Sequence, residues 1–265
     1  MLIPAGERRL YCDLVGPEGT PVVCMAHALS SDSTIWAEQL PALLAAGWRV
    51  LRLDMRGHGG SDPVAGDYTM SELADDVVLA VDFLGFRQVH FIGLSIGGMI
   101  GQVLAIEHRE RLLSAMLCAT SATAVPGGDA MWQARFAAIA AAGSLEPLAD
   151  DTMRRWFTDD FARLDRVAQI RSTVASNSPA GYRGGAAAII AFDARPDLPQ
   201  VTTPTLVVCG DDDPGTPAEG NRVIAERIPG ARYVEIAHAR HLLNVQHPET
   251  FNRIMLDWLA AQRIG

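Results

Sequence analysis

Three short segments hold residue types that can make and break acyl bonds together. Gly93-Leu94-Ser95-Ile96-Gly97 reads G-x-S-x-G, Asp211-Asp212-Asp213 stands downstream, and Ala237-His238-Ala239-Arg240-His241 follows. A serine hydroxyl is a weak nucleophile until a base takes its proton, and an imidazole base needs an acid to fix its orientation. The chain order serine, acid, histidine suits such a constellation on a parallel sheet. A dinucleotide-binding loop needs glycine where Ser95 stands, so that reading fails. The residue types leave two choices open: any of the three aspartates can be the acid, and His238 competes with His241. His238-x-x-His241 also has metal-pair spacing, but no third ligand cluster accompanies it. No metal and no cofactor are expected.

A serine nucleophile also needs donors for the negative charge that develops on the acyl oxygen. The backbone N–H of Ile96, at the start of a helix, is one candidate. Leu29, in His27-Ala28-Leu29-Ser30-Ser31, offers the other. His27 is expected to brace that loop rather than move protons. Arg56-Gly57-His58-Gly59-Gly60-Ser61 is expected to be a tight turn whose side chains tie loops together, not an anion site.

Elements that would position these loops follow from the apolar pattern. Strands are expected at Arg9 to Val15, Val22 to Ala26, Arg49 to Leu53, Val89 to Ile92, Leu113 to Cys118, Thr205 to Cys209 and Arg232 to Ile236. Helices are expected at Asp32 to Ala46, from an N-cap at Ser71 to about Leu84, Ile96 to Glu107, Ala218 to Arg227 and after Pro248. The alternation predicts an α/β fold with a mostly parallel central sheet flanked by helices. Residues 121–204 break it with Ala-rich helical pieces and no clear strand. They read as a helical cap inserted into a core made of 1–120 and 205–265. Each chemical loop then follows a strand at one sheet edge, where ligands gather in such folds.

Composition narrows the classes further. The chain has 265 residues and a formal charge of −9, which argues against a nucleic-acid partner. All 22 basic residues are arginine. The absence of lysine excludes Schiff-base and pyridoxal-phosphate enzymes, P-loop NTPases and protein kinases. Cys12, Cys24, Cys118 and Cys209 form no Cys-x-x-Cys pair, and three lie in apolar runs, so neither a disulfide framework nor a zinc site is expected. No segment reads as a leader or membrane span, and a soluble cytoplasmic protein with no membrane partner is expected.

The segments HALSSDSTIW, LRLDMRGHGGSD, HFIGLSIGGMIGQ, GDDDPGTP and ARHLLNVQHPETF together resemble the α/β-hydrolase superfamily. Within it they are most similar to the 3-oxoadipate enol-lactonases of aromatic catabolism. The resemblance runs over nearly the whole chain, including Arg155-Trp156-Phe157-Thr158 and Gly181-Tyr182. It implies the α/β-hydrolase fold, with Ser95 as nucleophile, His241 as base, Asp213 as acid, and Leu29 and Ile96 as oxyanion donors. It implies a small ester or lactone substrate. The enol-lactone carries a free carboxylate, so cations are expected near the cap: Arg135, Arg154 and Arg155, with Trp132 and Trp156 as walls. The chain departs from the family at Ser30, where glycine is frequent, and at His238 and Arg240. These departures bear on the pocket more than on the chemistry. A general carboxylesterase, another C–O or C–C hydrolase, and a non-catalytic receptor on the same fold are the competing readings. Self-association is left open.

Overall fold

The computed structural model describes residues 1–124 and 127–262. A hairpin opens the chain: β1 (Leu2–Ala5) pairs antiparallel with β2 (Arg8–Val15). Then come β3 (Val22–Ala26), α1 (Leu40–Ala45), β4 (Arg49–Leu53), α2 (Met70–Phe83), β5 (Val89–Leu94), α3 (Ile96–Glu107) and β6 (Leu112–Cys118). Four helices follow before the sheet resumes: α4 (Asp129–Ala142), α5 (Glu146–Trp156), α6 (Leu164–Ser176) and α7 (Pro179–Ile190). The chain closes with β7 (Thr205–Gly210), α8 (Ala218–Arg227), β8 (Arg232–Ile236), α9 (Leu243–Gln246) and α10 (Pro248–Ala261). The eight strands lie in the order β1-β2-β4-β3-β5-β6-β7-β8, parallel from β4 to β8 and antiparallel at β1 and β2.

The central strands are apolar throughout because both faces of the sheet are covered. Side chains alternate between two cores. Cys24, Phe91, Ala115, Leu117 and Val207 join the core under α2, α3 and α8, whereas Met25, Ile92, Met116, Cys118 and Val208 join the core under α1 and α10. The four-helix insert adds to both: Trp132, Ile139 and Tyr182 to the first, Met153, Trp156 and Ile170 to the second. An antiparallel bridge, Thr123 to Asp193, draws its two ends together. No helix among the described residues is long and apolar enough to cross a membrane.

Two expectations need correction. Asp32 to Ala46 is not one helix. The Asp32 carboxylate caps only a 3-10 turn, Ser33–Trp36, and the chain restarts as α1 with Pro41 in its first turn. Proline has no N–H to bond back to the preceding turn, so a continuous helix would lose that bond. The cap of α2 is Thr69, not Ser71. Thr69 accepts from the Glu72 N–H, and Glu72 accepts from the Thr69 N–H, which satisfies two otherwise orphaned donors.

Candidate functional site

Ser95 sits on the sharp turn between β5 and α3, at φ +61° and ψ −118°. A non-glycine residue holds that conformation only where its surroundings enforce it. Here the Ser95 N–H donates to Cys118 O at 2.9 Å, and the Thr120 hydroxyl donates to Ser95 O at 2.7 Å. The turn is tight enough that a Cβ on Gly93 would lie 2.1 Å from Gly97 O, and one on Gly97 would lie 2.4 Å from Ala26 O. Both motif glycines are therefore required by backbone contact.

The geometry separates the three aspartates. Asp213 Oδ2 accepts from His241 Nδ1–H at 2.7 Å and from the Thr216 hydroxyl at 2.6 Å. Asp213 Oδ1 accepts from the Gly215 and Thr216 N–H groups at 2.8 and 3.1 Å. Burial pushes this carboxyl up, but the charge and hydrogen bond of His241, with those of Thr216 and Gly215, outweigh it and hold its pKa below the ordinary value. A carboxylate on Nδ1 leaves the lone pair on Nε2, the tautomer a general base needs. Trp156 stacks on the imidazole at 6.1 Å between centroids. Asp212 pairs instead with Arg240 at 2.9 Å, and Asp211 is exposed. His238 is exposed too, so His241 is the histidine that meets a carboxylate and the cavity.

The loop after β3 presents the Leu29 N–H. Ala28 O accepts from three donors: His27 Nδ1–H at 2.8 Å, the Ser31 N–H at 3.1 Å and the Ser31 hydroxyl at 2.7 Å. Carbonyl and N–H of one trans peptide point in opposite directions. Pinning Ala28 O thus turns the Leu29 N–H the other way, and it has no acceptor among the described residues. Ile96, in the first turn of α3, likewise has an N–H without an intrahelical acceptor. His27 Nε2 accepts from the Met55 N–H at 3.0 Å, so the fully buried ring braces two loops. The Arg56 loop is also structural: Arg56 Nε meets Asp76 at 2.6 Å, and Asp76 takes Arg8 at the same distance.

Ser95 and His241 share a cavity of about 390 Å³ with Leu29, Trp132, Trp156 and Tyr182. Arg135 and Arg155 also line it. The Arg135 guanidinium lies over the Trp132 ring at 5.1 Å, and no carboxylate among the described residues pairs with it. Arg155 meets Asp151 at 3.1 Å and the Thr152 hydroxyl at 3.2 Å. Burial, then the charge of Arg135, lowers the Arg155 pKa, while Asp151 opposes them. Burial raises the pKa of the Tyr182 hydroxyl, against the pull of both arginines. Two guanidinium charges therefore bear on one buried hydroxyl at the cavity wall, although burial outweighs them there.

Arg154 is not part of this wall: it is exposed and faces Asp151 at 3.6 Å. Nor do His238 and Arg240 shape the cavity. Arg240 donates to the Arg154 and Phe157 carbonyls at 2.7 and 3.0 Å, tying the end of α5 to the loop that carries His241. Sequence reasoning missed Met99, Thr152 and Ile189 of the lining. It also missed Asn221, whose side chain joins Thr120 to the Thr216-Pro217 turn. Helical spacing gives Met99 and Ile189 only an apolar face, without saying what that face meets. No His, Cys, Asp or Glu cluster among the described residues is arranged to hold a metal ion.

Residues 21–248 match a family described as alpha/beta hydrolase fold. The 3-oxoadipate enol-lactonase 1 of Acinetobacter baylyi is 33% identical over 249 residues, covering 93% of this chain and 91% of that one. Enol-lactonase 2 of the same organism is 32% identical over 239 residues, covering 89% and 88%. The crystal structure of the enol-lactonase from Burkholderia xenovorans superposes with a TM-score of 0.92 at 33% identity, covering 98% of this chain and all of that one.

Proposed function

Because the chain belongs to the α/β-hydrolase fold family, we propose that it hydrolyses a small carboxylate-bearing lactone or ester through Ser95, His241 and Asp213, with 3-oxoadipate enol-lactone as the substrate. His241 Nε2 takes the Ser95 proton as Oγ bonds to the acyl carbon. The oxyanion accepts from the Leu29 and Ile96 N–H groups, each worth about 3 kcal/mol in the transition state. The ring C–O bond then breaks, and the enol oxygen takes the proton from His241. The enol ketonises, which makes ring opening one-way. Water, deprotonated by His241, attacks the acyl-enzyme and restores Ser95. Asp213 holds the imidazole tautomer and stabilises its cation throughout.

One observation carries the substrate assignment: Arg135, without a carboxylate partner among the described residues, shares a cavity wall with Arg155, Ser95 and His241. A net charge of −9 does not draw an anion to the protein, so attraction must be local. A second reading, a general carboxylesterase, is favoured by the apolar part of the same wall: Met99, Met131, Trp132 and Ile189 suit a neutral acyl chain. The test is a side-by-side kcat/KM for 3-oxoadipate enol-lactone and p-nitrophenyl acetate. A lactone preference of several orders of magnitude is expected. Equal or reversed rates would discard the lactone while leaving the serine chemistry in place.

A further inference from the structure

The turn that offers the Leu29 N–H is held partly from outside the sheet core. Ser30, immediately after Leu29, sits at φ +61°, a left-handed conformation that favours glycine. Such a turn relaxes by rotating its peptide planes, which would swing the Leu29 N–H with it. The internal bonds to Ala28 O restrain one side of the turn. On the other side stands Ser30 O, and its one donor among the described residues is Asn177 Nδ2, at 2.8 Å.

Asn177 lies between α6 and α7 and is 7% exposed. Its second Nδ2 hydrogen goes to Thr173 O at 2.9 Å, in the last turn of α6, and Oδ1 accepts from the Gly59 N–H at 3.2 Å. All three partners fix the sense of the amide, since exchanging N and O would set oxygen against two carbonyls. One buried side chain thus joins the four-helix insert, the loop after β3 and the loop after β4. The helix that follows continues the contact. Gly181 meets the Gly57 backbone, and Gly185 leaves room for the Leu29 side chain, which would stand 2.7 Å from a Cβ there.

We infer that Asn177 is a positioning residue for the proposed reaction: by holding the Ser30 carbonyl it aims the Leu29 N–H at the acyl oxygen, so the insert sets the oxyanion site as well as the cavity wall. This rests on the serine reading above. Asn177 touches neither the substrate site nor Ser95, so its loss should act on the transition state and spare ground-state binding.

The test uses Asn177→Ala and Asn177→Asp. The aspartate keeps the volume and the Gly59 acceptor but loses both donors, and it carries the test alone if the alanine variant does not fold. Active sites are counted by covalent labelling of Ser95 with a fluorophosphonate, so that misfolded protein does not enter the rate. With p-nitrophenyl acetate, kcat per labelled site should fall roughly tenfold or more while KM stays within about twofold. The affinity for phenylboronic acid, whose tetrahedral adduct needs the same donors, should fall in step. Ser30→Gly in the Asn177→Ala background should recover part of the lost kcat, because glycine holds φ +61° without strain. A kcat per labelled site close to wild type would overturn the inference, and so would a loss that Ser30→Gly does not touch. A wild-type protein that takes no label at Ser95 would instead sink the serine reading itself.

Discussion

Mild acid should destabilise this protein through two buried histidines. His27 and His58 face each other at 5.4 Å between ring centroids, and both are buried. Burial, then the neighbouring His27, pushes the His58 pKa from 6.5 down to about 3, against the Arg56 carbonyl, Asp54 and Asp32. Burial likewise lowers His27, against the Ala28 carbonyl and Asp32. Both rings are neutral in the folded state and protonate near pH 6.5 once the chain unfolds. The unfolded state therefore binds more protons below that pH. The stability these groups contribute is complete above pH 6.5 and drains away as the pH falls towards the folded values. By about pH 4.5 the pair together has cost on the order of 5 kcal/mol. Domains of this kind hold roughly 5–15 kcal/mol in total. Denaturant midpoints measured at pH values from about 8 down to 4.5, for wild type and His58→Asn, should show the stability–pH slope of the variant shallower by ~1.4 kcal/mol per unit below about pH 6. The comparison rests on slopes, so any constant destabilisation by the substitution drops out, as do the carboxylates common to both proteins. Coincident slopes would refute the assignment of His58 as a group that must charge on unfolding.

The site and its support yield further expectations. Ser95→Ala should abolish hydrolysis while leaving the thermal unfolding profile intact, since Ser95 O, the acceptor for Thr120, belongs to the backbone. Asp213→Asn should lower kcat by about 10⁴ through the wrong imidazole tautomer, whereas Asp212→Asn loses only an exposed ion pair with Arg240 and should stay within a few-fold. A large loss in Asp212→Asn with Asp213→Asn unaffected would reverse the acid assignment. Arg135→Leu should cut kcat/KM for the anionic lactone by about 10- to 100-fold, the value of one charge-assisted hydrogen bond, with little change for p-nitrophenyl acetate. Parallel losses on both substrates would remove Arg135 from carboxylate recognition. Gly181→Ala would set a methyl 2.1 Å from Gly57 O, and a loss of about 1–3 kcal/mol should appear as a lower Tm.

The strands of the parallel sheet are legible because each buries both faces and so reads as an apolar run bounded by turn residues, as in Val22–Ala26 and Thr205–Gly210. The serine turn is legible for a related reason. Backbone contacts at Gly93 and Gly97 leave no room for a side chain, and that demand writes a pattern into five consecutive residues. Thr69-x-x-Glu72 was equally local, a full capping signal two residues ahead of the expected start at Ser71. The hairpin partner β1 escaped because four residues alternating exposed and buried are too few to stand out beside Gly6, the positive-φ residue of the turn.

What stayed hidden is of another kind. Residue types left Asp213 level with its neighbours and the family resemblance alone singled it out, because the choice depends on which carboxylate the loop turns towards His241, and Thr216 and Gly215 settle that turn by donating to one of them. The bond from Asn177 to Ser30 spans 147 residues, and neither residue type announces it. An asparagine before a helix reads as a turn residue, and a serine in a loop reads as solvent-facing. Bonds from a side chain to a distant carbonyl carry no period and no motif, because one partner is backbone and any residue can supply it. Chemical identity is thus carried by local patterns in this chain, whereas the aim of its donors depends on contacts that only the folded structure brings together.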